Sequence, residues 1–188
     1  MSLGIAADTS AAISFLEAVH SDGLWSLTAI KPTGGPPTGK VFTPAEREQA
    51  VGWIDALQGV AGLYYSVNEV RPDFRGVKAT KADIVAAHYA HVDIDHLDGL
   101  ERLRIYKLPP SLIVFSGGGY QAFWKFAEPT TDLERVERIN RQLAADLGGD
   151  NCHNIDRIMR LPGTINLPNA KKRKAGRAPM LAYVVEGI

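Results

Sequence analysis

Residues 91–96 read HVDIDH, which sets Asp93 and Asp95 two positions apart in a stretch with strand character. Side chains alternate across a strand, so His91, Asp93 and Asp95 project to one face while Val92 and Ile94 project to the other. Alternate residues lie about 6.6 Å apart, a separation from which two carboxylates can converge on divalent cations. Magnesium takes oxygen ligands, keeps several waters and is completed by substrate phosphates, so an Asp-x-Asp strand supplies what phosphoryl chemistry needs. An ordinary exposed strand face bears the same alternation, and the pair alone leaves both readings open. His88 and His96 flank the motif, but on one strand the even positions face away from His91, which argues against a three-histidine metal site. His91 remains a supporting residue, and the other two are read as structural.

Two further segments carry compatible chemistry. Ser116-Gly117-Gly118-Gly119-Tyr120-Gln121 lies between two apolar runs, where glycine lets backbone N–H groups approach an anion such as a triphosphate. It lacks the Gly-Lys-Ser/Thr ending of a Walker loop, and a plain hairpin turn fits the segment as well. Beyond the turn, Gln121, Phe123 and Lys125 share one strand face and Ala122, Trp124 and Phe126 the other. Asp156, Arg157 and Arg160 precede Leu161-Pro162-Gly163-Thr164, with Asn166 and Asn169 beyond. Guanidinium forks suit phosphate oxygens and a third carboxylate would complete a two-ion cluster, although a surface ion pair accounts for the same residues. Lys171, Lys172, Arg173 and Lys174, with Arg177, form the strongest local positive charge, suited either to a nucleic-acid backbone or to a solvated loop.

The elements that must position these groups follow from pattern. Residues 11–20 read as a helix capped by Ser10, 24–31 as a strand and 31–40 (KPTGGPPTGK) as a Pro/Gly-rich loop, either a connector or a neighbour of a polyanion. Thr43-Pro44-Ala45-Glu46 is a capping box that opens a helix over 44–58. Residues 62–70 read as a strand, 71–78 as a basic loop, 81–88 as a short helix, and 111–126 as a hairpin. Thr131-Asp132-Leu133-Glu134 opens a second capped helix that Gly148 ends. Residues 154–169 hold a strand-like stretch and a Pro-Gly turn, and 180–188 close as a strand.

Bulk composition narrows the classes. The 188 residues include 45% apolar side chains, enough for a core, and 21 basic against 21 acidic groups, so any polyanion binding rests on local clustering. The one cysteine, Cys152, excludes an internal disulfide and a multi-thiolate zinc site and agrees with a cytoplasmic location. No apolar run is long enough to span a membrane, and no secretory leader is legible.

In this order, the Asp-x-Asp strand, the Ser-Gly-Gly-Gly-Tyr-Gln hairpin, the capped helix and the stretch from Asp156 to Asn166 resemble the archaeo-eukaryotic primase superfamily. The similarity is nearest to the primase or primase-polymerase domains of plasmid and phage replication proteins, and covers roughly residues 60–170. It implies an α+β fold with an RRM-like mixed or antiparallel sheet, flanking helices and an N-terminal α/β extension. The division expected is one catalytic domain over 1–188, with an N-terminal portion of about 1–60 and a core of about 61–188, inside a larger replication protein. It implies templated nucleotidyl transfer with two Mg²⁺ or Mn²⁺ ions held by Asp93, Asp95 and Asp156, Asp150 being the rival third acid. Ser116, Gly117, Gly118, Gly119, Gln121, Arg157 and Arg160 would hold the NTP or dNTP. Tyr120, Lys171, Lys172, Arg173 and Lys174 would meet single-stranded DNA template, and a helicase domain would act in the same or a partner chain. The family's second motif usually ends in histidine where this chain has Gln121, an amide that can bond a phosphate but carries no charge. That departure motivates the alternative of a catalytically weakened nucleic-acid-binding module for replication initiation. A nucleotide hydrolase using the same acids is a third reading.

Overall fold

The computed structural model describes residues 6–187; Met1-Ser2-Leu3 and the last residue of the 180–188 stretch lie outside the described residues. The chain runs α1 (Thr9–Val19), β1 (Trp25–Ile30), β2 (Thr38–Phe42), α2 (Arg47–Leu57), β3 (Gly62–Ser66), β4 (Glu69–Val70) and β5 (Ile84–Ile94). It continues through α3 (Gly99–Ile105), β6 (Leu112–Phe115), β7 (Tyr120–Thr130) and α4 (Leu133–Leu147). The last elements are β8 (Ile158–Arg160), β9 (Ile165–Asn166), α5 (Ala170–Lys174), β10 (Met180–Leu181) and β11 (Tyr183–Glu186). One sheet has the order β2-β1-β3-β8, a second β11-β6-β7-β5-β4, and β9 pairs β10; every pairing is antiparallel. The expected α+β class with an antiparallel sheet core and flanking helices is what the chain forms. Among the described residues no helix is long and apolar enough to cross a membrane.

The alternation of β5 sorts its side chains between two cores. Ala90, Val92 and Ile94 join Ala122, Trp124, Leu143 and Leu147 under α3 and α4. Tyr89 faces the other way, with Phe123, Val114, Tyr65 and Met159, into a core shared by the two sheets and α1. Along that inter-sheet face the side chains change from Tyr89 through His91 to Asp93, so the strand leads from apolar packing into a polar cleft.

Several boundaries differ from the sequence pattern, each for a local reason. The helix expected over 81–88 is a single 3-10 turn, Lys81–Asp83, closed by the Thr80–Asp83 capping box; from Ile84 the chain pairs with β4 and then β7, and sheet pairing overrides helical spacing. The strand expected over 62–70 breaks at Val67-Asn68, where the Val67 N–H donates to the Arg157 carbonyl and the Asn68 amide to the Ile155 carbonyl. That corner carries the chain from one sheet to the other. Asp8, rather than Ser10, caps α1 by accepting from the Ala11 N–H. The end of the 31–40 loop is strand, because Thr38–Phe42 pair with Trp25–Ala29. The helix over 99–105 has no counterpart in the expected elements, and the basic run forms the short helix α5 instead of a loop. A division near residue 60 runs through the first sheet, since β3 pairs β1 and β8 pairs β3.

Two imidazoles are built into these cores. His20, 6% exposed, bonds the Ser66 carbonyl through Nε2 at 2.9 Å, and His91, 1% exposed, bonds the Cys152 carbonyl at 3.0 Å. Burial pushes both down from the usual imidazole value to about 4. Between about pH 6.5 and 4 the unfolded chain therefore binds protons that the folded chain refuses, and stability falls as pH drops through that window. Urea unfolding at a series of pH values should show a loss of up to about 3 kcal/mol per imidazole toward the acid end. Equal midpoints across the window would contradict the assignment of both rings as buried and neutral.

Candidate active site

A cleft of about 220 Å³ opens where the two sheets part, lined by Asp93, Asp95, Asp150, Arg157, Arg160 and Gln121 among others. Asp93 lies opposite Gln121 in the β5–β7 register, so both side chains project to the cleft. The Gln121 Nε2 donates to Asp93 Oδ2 at 3.4 Å, and its Oε1 accepts from the Arg160 backbone N–H at 3.0 Å. One amide thus joins the acid-bearing strand of one sheet to the edge strand of the other. The Arg160 guanidinium donates to the Tyr64 hydroxyl at 2.7 Å and to Asn166 Oδ1 at 2.9 Å, and lies 4.1 Å over the Tyr64 ring. Asn166 in turn donates to the Ser116 carbonyl at 2.8 Å.

The third carboxylate that lines the cleft is Asp150, the rival of Asp156, which does not line it. Gly148, in the left-handed conformation, ends α4, and its neighbour Gly149 lies against β5 so closely that a Cβ would sit 2.4 Å from Val92 Cγ2. That approach lets the Asp150 N–H donate to the Asp93 carbonyl at 2.7 Å. Asp156 is partly buried in a turn outside the cleft lining, with Oδ1 lacking any protein partner. His91, on the same strand face as Asp93, holds the Cys152 carbonyl and so anchors the segment that presents Asp150. His88 pairs with Glu69 at 3.0 Å, as a structural residue would.

The glycine turn plays a tighter role than an open anion cradle. A Cβ on Gly119 would lie 2.1 Å from the Ile94 carbonyl oxygen, one on Gly118 2.3 Å from an Arg177 nitrogen, and one on Gly117 2.7 Å from Asn166. The three glycines let the turn wedge between the end of β5, Arg177 and Asn166. Ser116 lines the cleft. Tyr120, expected to stack on template, belongs to the face opposite Gln121; it packs 5.4 Å from Phe115 and against the helix-side core, so alternation turns it from the cleft. Of the basic run, Lys172 reaches the cleft, 3.3 Å from Asp95, while Lys171, Arg173 and Lys174 stand exposed.

The electrostatics divide the site. Among the described residues neither Arg157 nor Arg160 pairs with a carboxylate, nor do Asp93 and Asp150 with a cation. Arg157 Nε and Arg160 Nη1 are buried without a partner. Burial pushes the Asp93 carboxyl up to about 6, helped by the charges of Asp150 and Asp95 and opposed by Arg157 and the Gln121 bond. Asp95 is pushed up by burial, but Arg177 at 2.8 Å and Lys172 together outweigh that and hold it below the usual range. Three acids share one cleft, a donor set suited to a hard cation, although among the described residues no three side chains are drawn together as a finished ligand set. Tyr64 and the placement of Asp150 escaped the sequence reading; both depend on long-range contacts, Tyr64 on its pairing with Arg160 in β8.

Residues 44–184 match the family model of the RepB DNA-primase N-terminal domain. No curated protein matches the chain. Among solved structures, the chain is similar to the AEP domain of the cyanophage S-2L primase-polymerase, with 20% identity, a TM-score of 0.68, and coverage of 97% of this chain and 92% of that one. It is similar to primase RepB′, with 18% identity and a TM-score of 0.70 over 95% of this chain but 56% of that one. The catalytic domain of RepB′ in complex with initiator DNA gives 20% identity and a TM-score of 0.68, over 95% and 85% of the two chains. At these identities the likeness is one of fold.

The raised Asp93 carboxyl has a consequence for stability. The folded chain takes up a proton near pH 6 that the unfolded chain takes up only near 3.8, so stability from that protonation is lost as pH rises through 6. Asp93→Asn, neutral throughout, should raise the unfolding free energy of the metal-free chain at about pH 7.5 by about 1–3 kcal/mol and change it little at about pH 4. Denaturant titration with a chelator present measures this; destabilisation at the higher pH would refute the electrostatic reading of the cleft.

Proposed function

Because the chain belongs to the RepB DNA-primase N-terminal domain family, with an archaeo-eukaryotic primase fold, we propose that it synthesises primers on single-stranded DNA by nucleotidyl transfer. The observation that carries this reading is the coexistence, in one cleft, of two acids without a cation, Asp93 and Asp150, and two guanidinium nitrogens buried without a partner, Arg157 Nε and Arg160 Nη1. A buried charge without a partner is costly, and a metal-bound nucleoside triphosphate is a single ligand that would satisfy both kinds.

In this reading Asp93, Asp95 and Asp150 hold Mg²⁺ or Mn²⁺, which when bound supplies charge stabilisation to the reacting phosphate and lowers the pKa of the attacking hydroxyl. Arg157 meets the triphosphate with its unpartnered Nε–H, and Arg160, at the junction of the cleft with the neighbouring groove, adds its positive charge. Gln121 holds the Asp93 carboxylate and the backbone of Arg160 in place, as a positioning residue. Lys172 and Arg177 neutralise Asp95 in the free chain and would be released to meet phosphate oxygens where a cation took their place at that carboxylate. The domain would operate within a larger plasmid or phage replication protein, with a helicase in the same or a partner chain.

The occupation of Asp95 by two basic side chains also favours a second reading, a replication-initiation module that binds DNA with weakened catalysis. The two separate on metal-dependent nucleotide binding, which such a module lacks. A nucleotide hydrolase would release phosphate without any template.

Primer synthesis on single-stranded DNA, with labelled NTPs or dNTPs and Mg²⁺ or Mn²⁺, tests the assignment of the acids. Asp150→Asn should lower the rate by about 100-fold or more, whereas Asp156→Asn should remain within about tenfold of the parent, an expectation for a residue outside the cleft. Full activity in Asp150→Asn would remove the third acid from the mechanism.

A further inference from the structure

The loop between β1 and β2, KPTGGPP over residues 31–37, borders a groove of about 250 Å³ that the nucleotide reading leaves unassigned. The opposite wall is the 166–172 segment, and Tyr64, Arg160, Asn166 and Lys172 line both this groove and the catalytic cleft, so the two are continuous. Three cations, Lys31, Arg160 and Lys172, face it and no carboxylate does. Arg160 is 6% exposed, and its Nη1 has no hydrogen-bond partner. That nitrogen lies toward the groove, where a Cβ on Gly62, itself a lining residue, would come within 2.6 Å of it. Around the loop tip, nothing lies within 4 Å of the positions that a Cβ on Gly34 or Gly35 would take, so the rim stands open.

We propose that this groove seats the phosphodiester backbone of single-stranded DNA beside the nucleotide site, with Lys31 pairing one phosphate and Arg160 and Lys172 marking the junction with the cleft. A triphosphate brings a divalent ion that needs carboxylate or other oxygen ligands, and the absence of acids from the lining makes this wall unsuited to it. A phosphodiester chain carries one charge per nucleotide and needs only spaced point cations. The apolar side chains of Pro32, Leu167 and Pro168 between those cations suit sugar and base surface. The proposal rests on the polymerase reading for its purpose, since a strand held here would run into the cleft.

Lys31 is exposed, so substituting it leaves the fold intact, and the full 188-residue chain is the material for the test. Fluorescence anisotropy of labelled oligothymidylate, titrated without metal or nucleotide across a range of salt, reads strand binding directly. Lys31→Ala should weaken it by about threefold or more and reduce the slope of log affinity against log salt by about 0.7, the signature of one lost single-strand phosphate contact. Lys31→Glu should weaken it further. Binding of a nucleoside triphosphate with Mn²⁺ should stay within about twofold of the parent in both variants. Unchanged strand affinity and slope would overturn the proposal, as would an equal loss of triphosphate binding, which would make the groove a nucleotide seat. The strand measurement needs no catalysis, so its failure is distinguishable from failure of the polymerase reading, which the Asp150→Asn assay judges alone.

Discussion

The site depends on Asp93 and Asp150 sharing a cleft with Arg157 and Arg160 without forming ion pairs with them. Gln121 ties the two strands concerned, its amide donating to Asp93 and accepting from the backbone N–H of Arg160, while Tyr64 and Asn166 hold the Arg160 guanidinium away from the acid. The acid stays available for a cation and the guanidinium for an anion. An ionised side chain at position 121 would bias that balance toward one partner, whereas an amide satisfies both neighbours without a net charge.

The rest of the fold supplies the surroundings that make the arrangement rigid. The Asp93–Gln121 register follows from the long β5–β7 pairing, which is locked by apolar side chains on both faces. The Leu161-Pro162-Gly163-Thr164 turn is tied to α1 and to the strand region after α5: the Asp8 N–H donates to the Gly163 carbonyl, the Gly163 N–H to the Ala182 carbonyl, and the Ala182 N–H to the Thr164 carbonyl. Those ties hold β8 and hence Arg160 against Tyr64. The cost is electrostatic, because Asp93 is ionised at neutral pH only against its burial, and sites that trade stability for ligand readiness in this way are common in enzymes.

Much of the site was legible in the sequence because β alternation is a local property. His91, Asp93 and Asp95 on one face, Val92 and Ile94 on the other, and Gln121 turned toward the acids all follow from period-two patterning. The resemblance to the primase superfamily rested on the same residues and on the Asp156–Asn166 stretch, and the family model covers it. What was not legible depended on distant partners. Asp150 reaches the cleft only because Gly149 can press against Val92, and Tyr64 matters only because β8 returns beside β3. The family resemblance favoured Asp156 with Asp150 as its rival, and spacing did not decide between them; Asp156 sits in the turn before β8, outside the cleft lining. The 81–88 segment misled for a similar reason: its capping box is real, but it closes one turn before the sheet captures the chain.

The separated charges make one demand of the ligands: cation and anion must help each other bind. Calorimetric titration of a nucleoside triphosphate into the chain, with Mn²⁺ and with chelator, measures that coupling directly. The account predicts that Mn²⁺ tightens the triphosphate by about tenfold or more, equivalent to about 1.4 kcal/mol of coupling. Equal affinity in the two conditions would mean that the acids and the guanidiniums do not serve one ligand, and would contradict the account at its centre.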